Sequence, residues 1–366
     1  MNILLVITKG DVGGAQVVVY NMARALKEKG HIVTVGMGEG EFLKNKLEEI
    51  NIPVHIFKNL KRTNNPFKNI KFIFEIKKYL DKNQFDIVHF NSSNSLFGAI
   101  GAKISKNKIK TIFTFHGLSI LDSRYKNIFK IFYKLTFKFL LIFINENIFV
   151  SYNNLKEAKK INLINDGNVI YNGLDEKKID FYEKDTAKKI LIGDIKEIEI
   201  DSYMIGIISR LTTEKNHKFI IDKFTKILEI RPNAICFFIG DGPYKPYLIK
   251  YIHKLHLEKK IFILGKVENA SKYLKMFDLI ILPSYFEGLS ISLIETIFAK
   301  IPAIASDVGG NTEVIGDKFI YKFNNEKEFL DLFENISKNK ISQDFNKQKS
   351  LFSITEIIIN LEKIYK

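Results

Sequence analysis

Short apolar runs alternate with stretches whose hydrophobic residues recur at helical spacing, and the alternation occurs twice along the chain. In the first half, runs at about residues 3–7, 32–35, 87–90, 111–115 and 148–150 predict strands, separated by helices such as 15–28 and 70–80. The second half repeats the pattern, with strands predicted at about 204–208, 234–239, 261–264, 279–282 and 303–305. Strands alternating with helical patterns are the signature of parallel βαβ layers, so the fold class predicted is α/β, with two Rossmann-like, doubly wound parallel-sheet domains. Between them, residues 175–201 are charge-dense and poor in strand signals, which reads as a linker with a helical insert.

Composition narrows the setting. At 366 residues and 46% hydrophobic content there is ample core for about two domains. The single cysteine, Cys236, falls in the strand-like run 234–239, so no intrachain disulfide can form and a reducing compartment is expected. Residues 2–7 are too short and lack the basic flank of a signal sequence; they read as a first buried strand, and a cytoplasmic location is expected. The charge is uneven: residues 51–150 hold seventeen Lys and Arg against five Asp and Glu, most of the net +15. Nucleic acid, an anionic membrane surface, or a lysine-rich compositional bias with no partner would each account for it.

The strand 279–282 is stopped by Pro283, and from Ser290 the residues Ile291, Leu293, Ile294, Ile297 and Phe298 recur at helical spacing. Glu287 therefore falls in a loop and Glu295 inside the next helix. Loops at the carboxyl ends of parallel strands are where open α/β sheets bind ligands. Carboxylates there accept hydrogen bonds from sugar or ribose hydroxyls; the plain alternative is a solvated loop glutamate and an ordinary helical one. Arg210 and Lys215 follow the strand 204–208 and put two cations at the mouth of the second sheet, for an anion or merely for solvent. Gly13-Gly14, between the first strand and helix, lets backbone N–H groups approach an anion such as a diphosphate, or simply makes a turn. Without a full G-x-G-x-x-G, dinucleotide binding is disfavoured. His116 follows the strand 111–115 as either a ligand contact or a buried, capping histidine. No Asp-x-Asp and no His or Cys cluster with metal-ligand spacing occurs, so neither a metal nor any other cofactor is expected.

Six segments in order carry a family likeness. They are Gly13-Gly14-Ala15-Gln16, His116-Gly117, Tyr171-Asn172-Gly173-Leu174-Asp175, Arg210-Leu211-x-x-Glu214-Lys215, Gly240-Asp241-Gly242-Pro243, and the E-x7-E of Glu287 and Glu295. With Pro302 and Ser306-Asp307-Val308-Gly309-Gly310 after them, they resemble the glycosyltransferases of family 4, over most of the chain. The resemblance implies the GT-B fold, with two Rossmann-like domains facing a cleft, and metal-independent transfer from a nucleotide sugar with retention of anomeric configuration. It divides the chain into an acceptor-binding domain (1–170), a nucleotide-sugar-binding domain (171–350) and a helix (351–366) crossing back to the first domain.

Carried onto this sequence, the resemblance gives Arg210 and Lys215 the donor diphosphate, Glu287 the donor sugar hydroxyls and Glu295 the ribose hydroxyls. Gly288 and Leu289 assist by their backbone, Val267 lies where the nucleobase is met, Gly13 and Gly14 face the diphosphate, and His116 contacts the donor sugar. The catalytic set is then His116, Arg210, Lys215 and Glu287, with Glu287 and Arg210 expected in surface loops rather than the core. One departure is Lys300 in Ala299-Lys300-Ile301-Pro302, where the family often has glycine. The implied activity moves a hexose or N-acetylhexosamine, from UDP more than GDP, to a glycan or lipid-linked glycan in bacterial surface polysaccharide synthesis. A GT-B nucleotide-sugar epimerase is the rival enzyme, opposed by the complete E-x7-E with Arg210 and Lys215. A nucleic-acid-binding protein is the rival of another class, opposed by the lack of any recognisable DNA or RNA module; no nucleic-acid partner is expected.

In residues 124–144, Lys126, Lys130, Lys134 and Lys138 recur every four positions, a helical stripe drifting by about 40° per step. Phe129, Phe132, Tyr133, Leu135, Phe137, Phe139 and Leu140 lie between them. The segment reads either as an interfacial helix, docking the protein at the inner face of the cytoplasmic membrane, or as a core helix with solvated lysines. It is too charged and too short in its apolar run to span a bilayer.

Overall fold

A computed structural model describes all residues except 119–126, 194, 196, 197 and 200, and omits the side chains of 127–129. The chain forms two compact units: Met1–Asp175 together with Phe352–Lys366, and Glu176–Leu351. Each is built on one parallel sheet, as the alternating pattern predicts.

The first sheet contains β1 (Asn2–Lys9), β2 (Ile32–Glu39), β3 (Val54–Ile56), β4 (Ile87–Phe90), β5 (Lys110–Phe115), β6 (Glu146–Phe149) and β7 (Asn168–Val169). Their order is β3-β2-β1-β4-β5-β6-β7, parallel throughout. The second contains β8 (Tyr203–Ile208), β9 (Ala234–Ile239), β10 (Ile261–Gly265), β11 (Leu279–Leu282), β12 (Ala303–Ser306) and β13 (Ile320–Tyr321). Their order is β10-β9-β8-β11-β12-β13, again parallel. The edge strands β3, β7 and β13 were not expected from the sequence. With two or three residues each, they are too short for any periodicity to show.

Central strands are buried on both faces, which is why they read as unbroken apolar runs: Ile3, Leu4, Leu5 and Val6 are fully buried, as are Phe237 and Phe238 of β9. Helix Gly14–Glu28 covers the first sheet with Val18, Val19, Met22 and Leu26, one stripe of a 3.6-residue repeat. Helix Ile354–Tyr365 belongs to the same unit. Leu174, five residues past β7, ties its start to the unit by N–H to the Phe352 carbonyl and by C=O from the Ile354 N–H, both 2.9 Å. At its end, Tyr365 Oη lies 2.8 Å from Nδ1 of the fully buried His89, whose Nε2 meets Thr114 Oγ1 at 2.6 Å. Cys236 is buried in β9, where burial pushes its thiol well up and keeps it protonated.

Of the lysine-striped segment, Arg124 and Lys126 lie outside the described residues, as does the Phe129 side chain. Helix Asn127–Leu141 combines the two readings: Phe137 and Leu140 are buried in the unit, while Phe132, Leu135 and Phe139 point to solvent. No described helix is long and apolar enough to cross a membrane.

Helix Ile291–Ala299 ends at Lys300 in the left-handed conformation, φ 59° and ψ 37°. The turn before Pro302 is thus kept with a side chain where a glycine would adopt it without strain. Replacing Lys300 with glycine is expected to raise stability by about 1 kcal/mol, since a left-handed non-glycine residue costs ~1–2 kcal/mol. Chemical denaturation measures it, and a lower midpoint for Lys300→Gly contradicts the strain.

Candidate functional site

In the second sheet the strand order reverses at β8, which lies between β9 and β11, so a crevice opens beyond the carboxyl ends of β8 and β11. After β8 the chain passes Ser209 and Arg210, makes a single turn at Thr213–Lys215, and pivots through left-handed Asn216 (φ 54°) into helix His217–Ile230. After β11 it runs through Pro283 to Ser290, whose Oγ accepts the Leu293 N–H at 3.4 Å and caps helix Ile291–Ala299.

These two loops meet at a carboxylate. Lys215 Nζ lies 2.6 Å from Glu287 Oε1, and the Ser284 hydroxyl donates to the same oxygen at 2.7 Å. The Tyr285 N–H donates to the Glu214 carbonyl at 2.8 Å. Glu287 is 8% exposed, which corrects its expected place in a surface loop: the loop is a loop, but the side chain turns inward to the buried Ser284 and the half-buried Lys215. Arg210 does sit at the surface, its side chain 59% exposed and 3.7 Å from Glu214.

A third loop backs the first two. Gly309, at φ 55°, lies so close to the Glu287 carbonyl that a Cβ would approach it to 2.3 Å, and the Gly310 N–H donates to the Gly288 carbonyl at 2.7 Å. The Ser306 hydroxyl donates to the Ser284 carbonyl at 2.7 Å. Glycine at 309 thus lets the β12 loop press directly on the segment 284–288. Leu289 is buried beside it, and Val267 is half-buried after β10 at the sheet's edge.

Glu295 is not joined to this cluster. It is half-buried in the helix, and burial raises its carboxyl to about 7, opposed in part by a hydrogen bond from Ser271. A ligand hydroxyl donating to it would favour the ionised form and draw the value down. His217 escaped the sequence reading. Fully buried, it has Nε2 3.2 Å from Ser209 Oγ and is depressed to about 3 by burial and then by Lys215, so it is neutral. Nothing in the sequence distinguishes it from an ordinary first residue of a helix.

In the first unit the order reverses at β1, between β2 and β4. Gly13 forms the amino-terminal cap of helix Gly14–Glu28; a Cβ on it would meet Gln16 Oε1 at 2.7 Å, and Gln16 Nε2 donates to the Lys9 carbonyl at 2.8 Å. His116, just past β5, has Nε2 3.1 Å from Asn91 Oδ1. Asn91 gives its Nδ2 to the His89 carbonyl at 3.0 Å, so its oxygen faces the imidazole and His116 Nε2 is the donor. Burial lowers His116 to about 4, leaving a neutral ring with its acceptor at Nδ1. Gly13, Gly14 and His116 thus belong to one unit, and Arg210, Lys215, Val267, Glu287, Gly288, Leu289 and Glu295 to the other. Among the described residues, no three His, Cys, Asp or Glu side chains converge as metal ligands.

Family profiles match both units: "Glycosyltransferase Family 4" over residues 12–178 and "Glycosyl transferases group 1" over residues 192–351. The chain belongs to glycosyltransferase family 4 and has the GT-B fold. It is 26% identical over 323 residues to the UDP-Gal:alpha-D-GlcNAc-diphosphoundecaprenol alpha-1,3-galactosyltransferase of Escherichia coli, covering 80% of each chain. It is 24% identical to the N-acetyl-alpha-D-glucosaminyl L-malate synthase of Bacillus anthracis, over 83% of this chain and 78% of that one. In fold it is similar to HepE of Anabaena, crystallised with UDP and glucose, at a TM-score of 0.81 and 19% identity, covering 100% of this chain and 99% of that one.

The Glu295 carboxyl gives a pH-dependent expectation. Unfolded, it titrates near 4.3; folded, it holds its proton to about 7, so its protonation favours the fold at low pH and this contribution is lost as pH rises through 7. Glu295→Gln, which cannot ionise, should gain melting temperature over the wild type at pH 8 and lose that advantage towards pH 5. An equal difference at both pH values shows that the carboxyl is not desolvated.

Proposed function

We propose that this family-4 glycosyltransferase transfers a hexose or N-acetylhexosamine from a UDP-sugar, with retention, to a glycan or lipid-linked glycan in surface polysaccharide assembly. The observation that supports this most is the Lys215–Glu287 pair, held 2.6 Å apart beyond β8 and β11 with Arg210 on the same loop as Lys215. Departure of a nucleoside diphosphate develops negative charge on the leaving oxygen, and fixed cations there lower the barrier. Lys215 is held by the Glu287 carboxylate, so little reorganisation is left for the moment of bond cleavage. Glu287 is itself anchored through one oxygen, Oε1, by both Lys215 and Ser284, leaving Oε2 to accept donor-sugar hydroxyls.

Glu295 takes the ribose hydroxyls and Val267 borders the base. Within the first unit, Gly13 and Gly14 open backbone N–H groups to an anion, and neutral His116 keeps at Nδ1 an acceptor that suits a hydroxyl. In a front-face reaction the departing phosphate accepts the acceptor's proton, so no protein base is required, and a neutral histidine suits a binding role. Leaving-group charge falls to Arg210, Lys215 and helix amino termini, without a metal. The names of the relatives support a UDP donor, and one of them supports a diphosphoundecaprenol-linked acceptor.

Arg210→Ala and Glu287→Gln are each expected to lower kcat/KM by about tenfold or more. Glutamine is chosen at 287 because alanine would also leave Lys215 half-buried without its partner, so melting curves accompany the kinetics. Glu295→Ala should act mainly on the donor KM, because ribose contacts are the same in the ground and transition states. UDP release from a panel of UDP- and GDP-sugars measures all three, and full activity of either of the first two variants removes that residue from the site. Activity is also expected to survive EDTA; loss on chelation with recovery on adding Mn2+ or Mg2+ overturns the metal-free reaction, and an inverted anomeric signal in the product overturns retention.

A further inference from the structure

Two helices of the first unit, on the same side of its sheet, expose bulky apolar rows. On helix Pro66–Lys82, Phe67, Ile70 and Phe74 are 74%, 48% and 61% exposed, while the opposite stripe, Phe72, Ile73, Ile76 and Leu80, is buried. On helix Asn127–Leu141, Ile131, Phe132, Leu135 and Phe139 are each more than half exposed, and Ile142 just beyond is 74% exposed. The short helix Gly98–Lys103 packs against both, and Ile104 at its end is exposed as well. Single exposed apolar side chains need no explanation, but aligned rows on neighbouring helices form a patch of the kind that marks an interaction surface.

The charge around the patch identifies the occupant. Lys68, Lys71 and Lys78 lie along the first helix, Lys103 ends the short one, and Lys134 and Lys138 border the apolar row of the third. None of these six forms an ion pair among the described residues. The described part of helix Asn127–Leu141 has no acidic residue. The acids of the first helix are occupied elsewhere: Glu75 accepts N–H groups of Lys58 and Asn59 at 2.8 and 2.9 Å, and Asp81 is bound by Lys77, Ser105 and the Lys106 N–H. Aromatic and aliphatic side chains flanked by unpaired lysines match the boundary of an anionic bilayer. There the rings enter the acyl region, and the lysines lie along it with their ammonium groups among the headgroup phosphates. A protein partner would have to offer an apolar face ringed by acids, whereas an anionic bilayer presents both everywhere on its surface.

We infer that the first unit docks on anionic membrane through the combined face of helices Pro66–Lys82 and Asn127–Leu141. The inference stands apart from the donor chemistry, because it uses none of the proposed site residues. The test is flotation of the full chain with vesicles of phosphatidylcholine alone or mixed with phosphatidylglycerol. Binding is expected only with phosphatidylglycerol and should weaken with salt.

Two variants separate the two halves of the surface. Phe67→Ser with Phe74→Ser, Phe132→Ser and Phe139→Ser should weaken partitioning by about tenfold or more at every salt concentration. Lys71→Gln with Lys78→Gln, Lys134→Gln and Lys138→Gln should do so by about tenfold or more at low salt and abolish the salt dependence. Circular dichroism and hydrolysis of a UDP-sugar, expected to be unchanged in both, verify folding. Wild-type protein that stays behind with both vesicle types overturns the inference, as does equal binding to both. So does a lipid-free dimer, seen by sedimentation equilibrium, that the phenylalanine variant dissociates, because the face is then a contact between copies.

Discussion

A carboxylate removed from water must be met by a cation or by hydrogen-bond donors, and Glu287 receives one of each on a single oxygen, from Lys215 and Ser284. This requirement joins the loop after β8 to the loop after β11, across the place where the strand order of the second sheet reverses. The Tyr285 N–H bond to the Glu214 carbonyl brings the turn Thr213–Lys215 to the segment 284–288, and Lys215 adds the charge that Glu287 needs. Without Glu287, that segment would still be tied by the Tyr285 N–H to Glu214 and by Ser306 and Gly310 to its carbonyls, but Lys215 would lose its carboxylate. The pair contributes less to stability than to position, since burying two charges costs much of what their attraction returns. Its product is a cation and an acceptor oxygen fixed in one place before any ligand arrives.

The two units differ in the polar groups they place at their strand ends. In the second, charged groups gather beyond the strands and are steadied by each other. In the first, Lys9 and Lys61 meet Glu39 at the ends of β1 and β2, at 3.3 and 2.6 Å, while on β4 and past β5 His89 and His116 are both kept unprotonated by burial, and Asn91 orients the latter. A neutral imidazole donates and accepts at once, so it can set the direction of a hydroxyl network without adding charge.

The sequence reveals the architecture because long central strands leave long apolar runs; β9 and β11 match their predicted limits residue for residue. It conceals β7 and β13, whose two residues cannot be told from loop. The site divides in the same way. Arg210, Lys215, Glu287 and Glu295 could be picked out because charges beside strand ends stand out against apolar neighbours. The burial of Glu287 could not, since it depends on where a loop seventy residues earlier comes to rest. His217 was invisible for a similar reason, its environment being supplied by Ser209 and β9 rather than by its own neighbours in sequence. In helix Asn127–Leu141 the pattern offered two readings because the helix is apolar nearly all round; only packing decides that Phe137 goes in and Phe132 stays out.

The return of the segment Phe352–Lys366 to the first unit has a consequence for synthesis. The helix that covers Val18 and Met22 and brings Tyr365 to His89 is translated only after the whole of Glu176–Leu351. At ~5–20 residues per second, the nascent first unit waits about ten seconds or longer with that apolar stripe uncovered. During this interval it is a ready client for ribosome-associated chaperones, whereas the second unit, contiguous in sequence, can complete its core as it emerges.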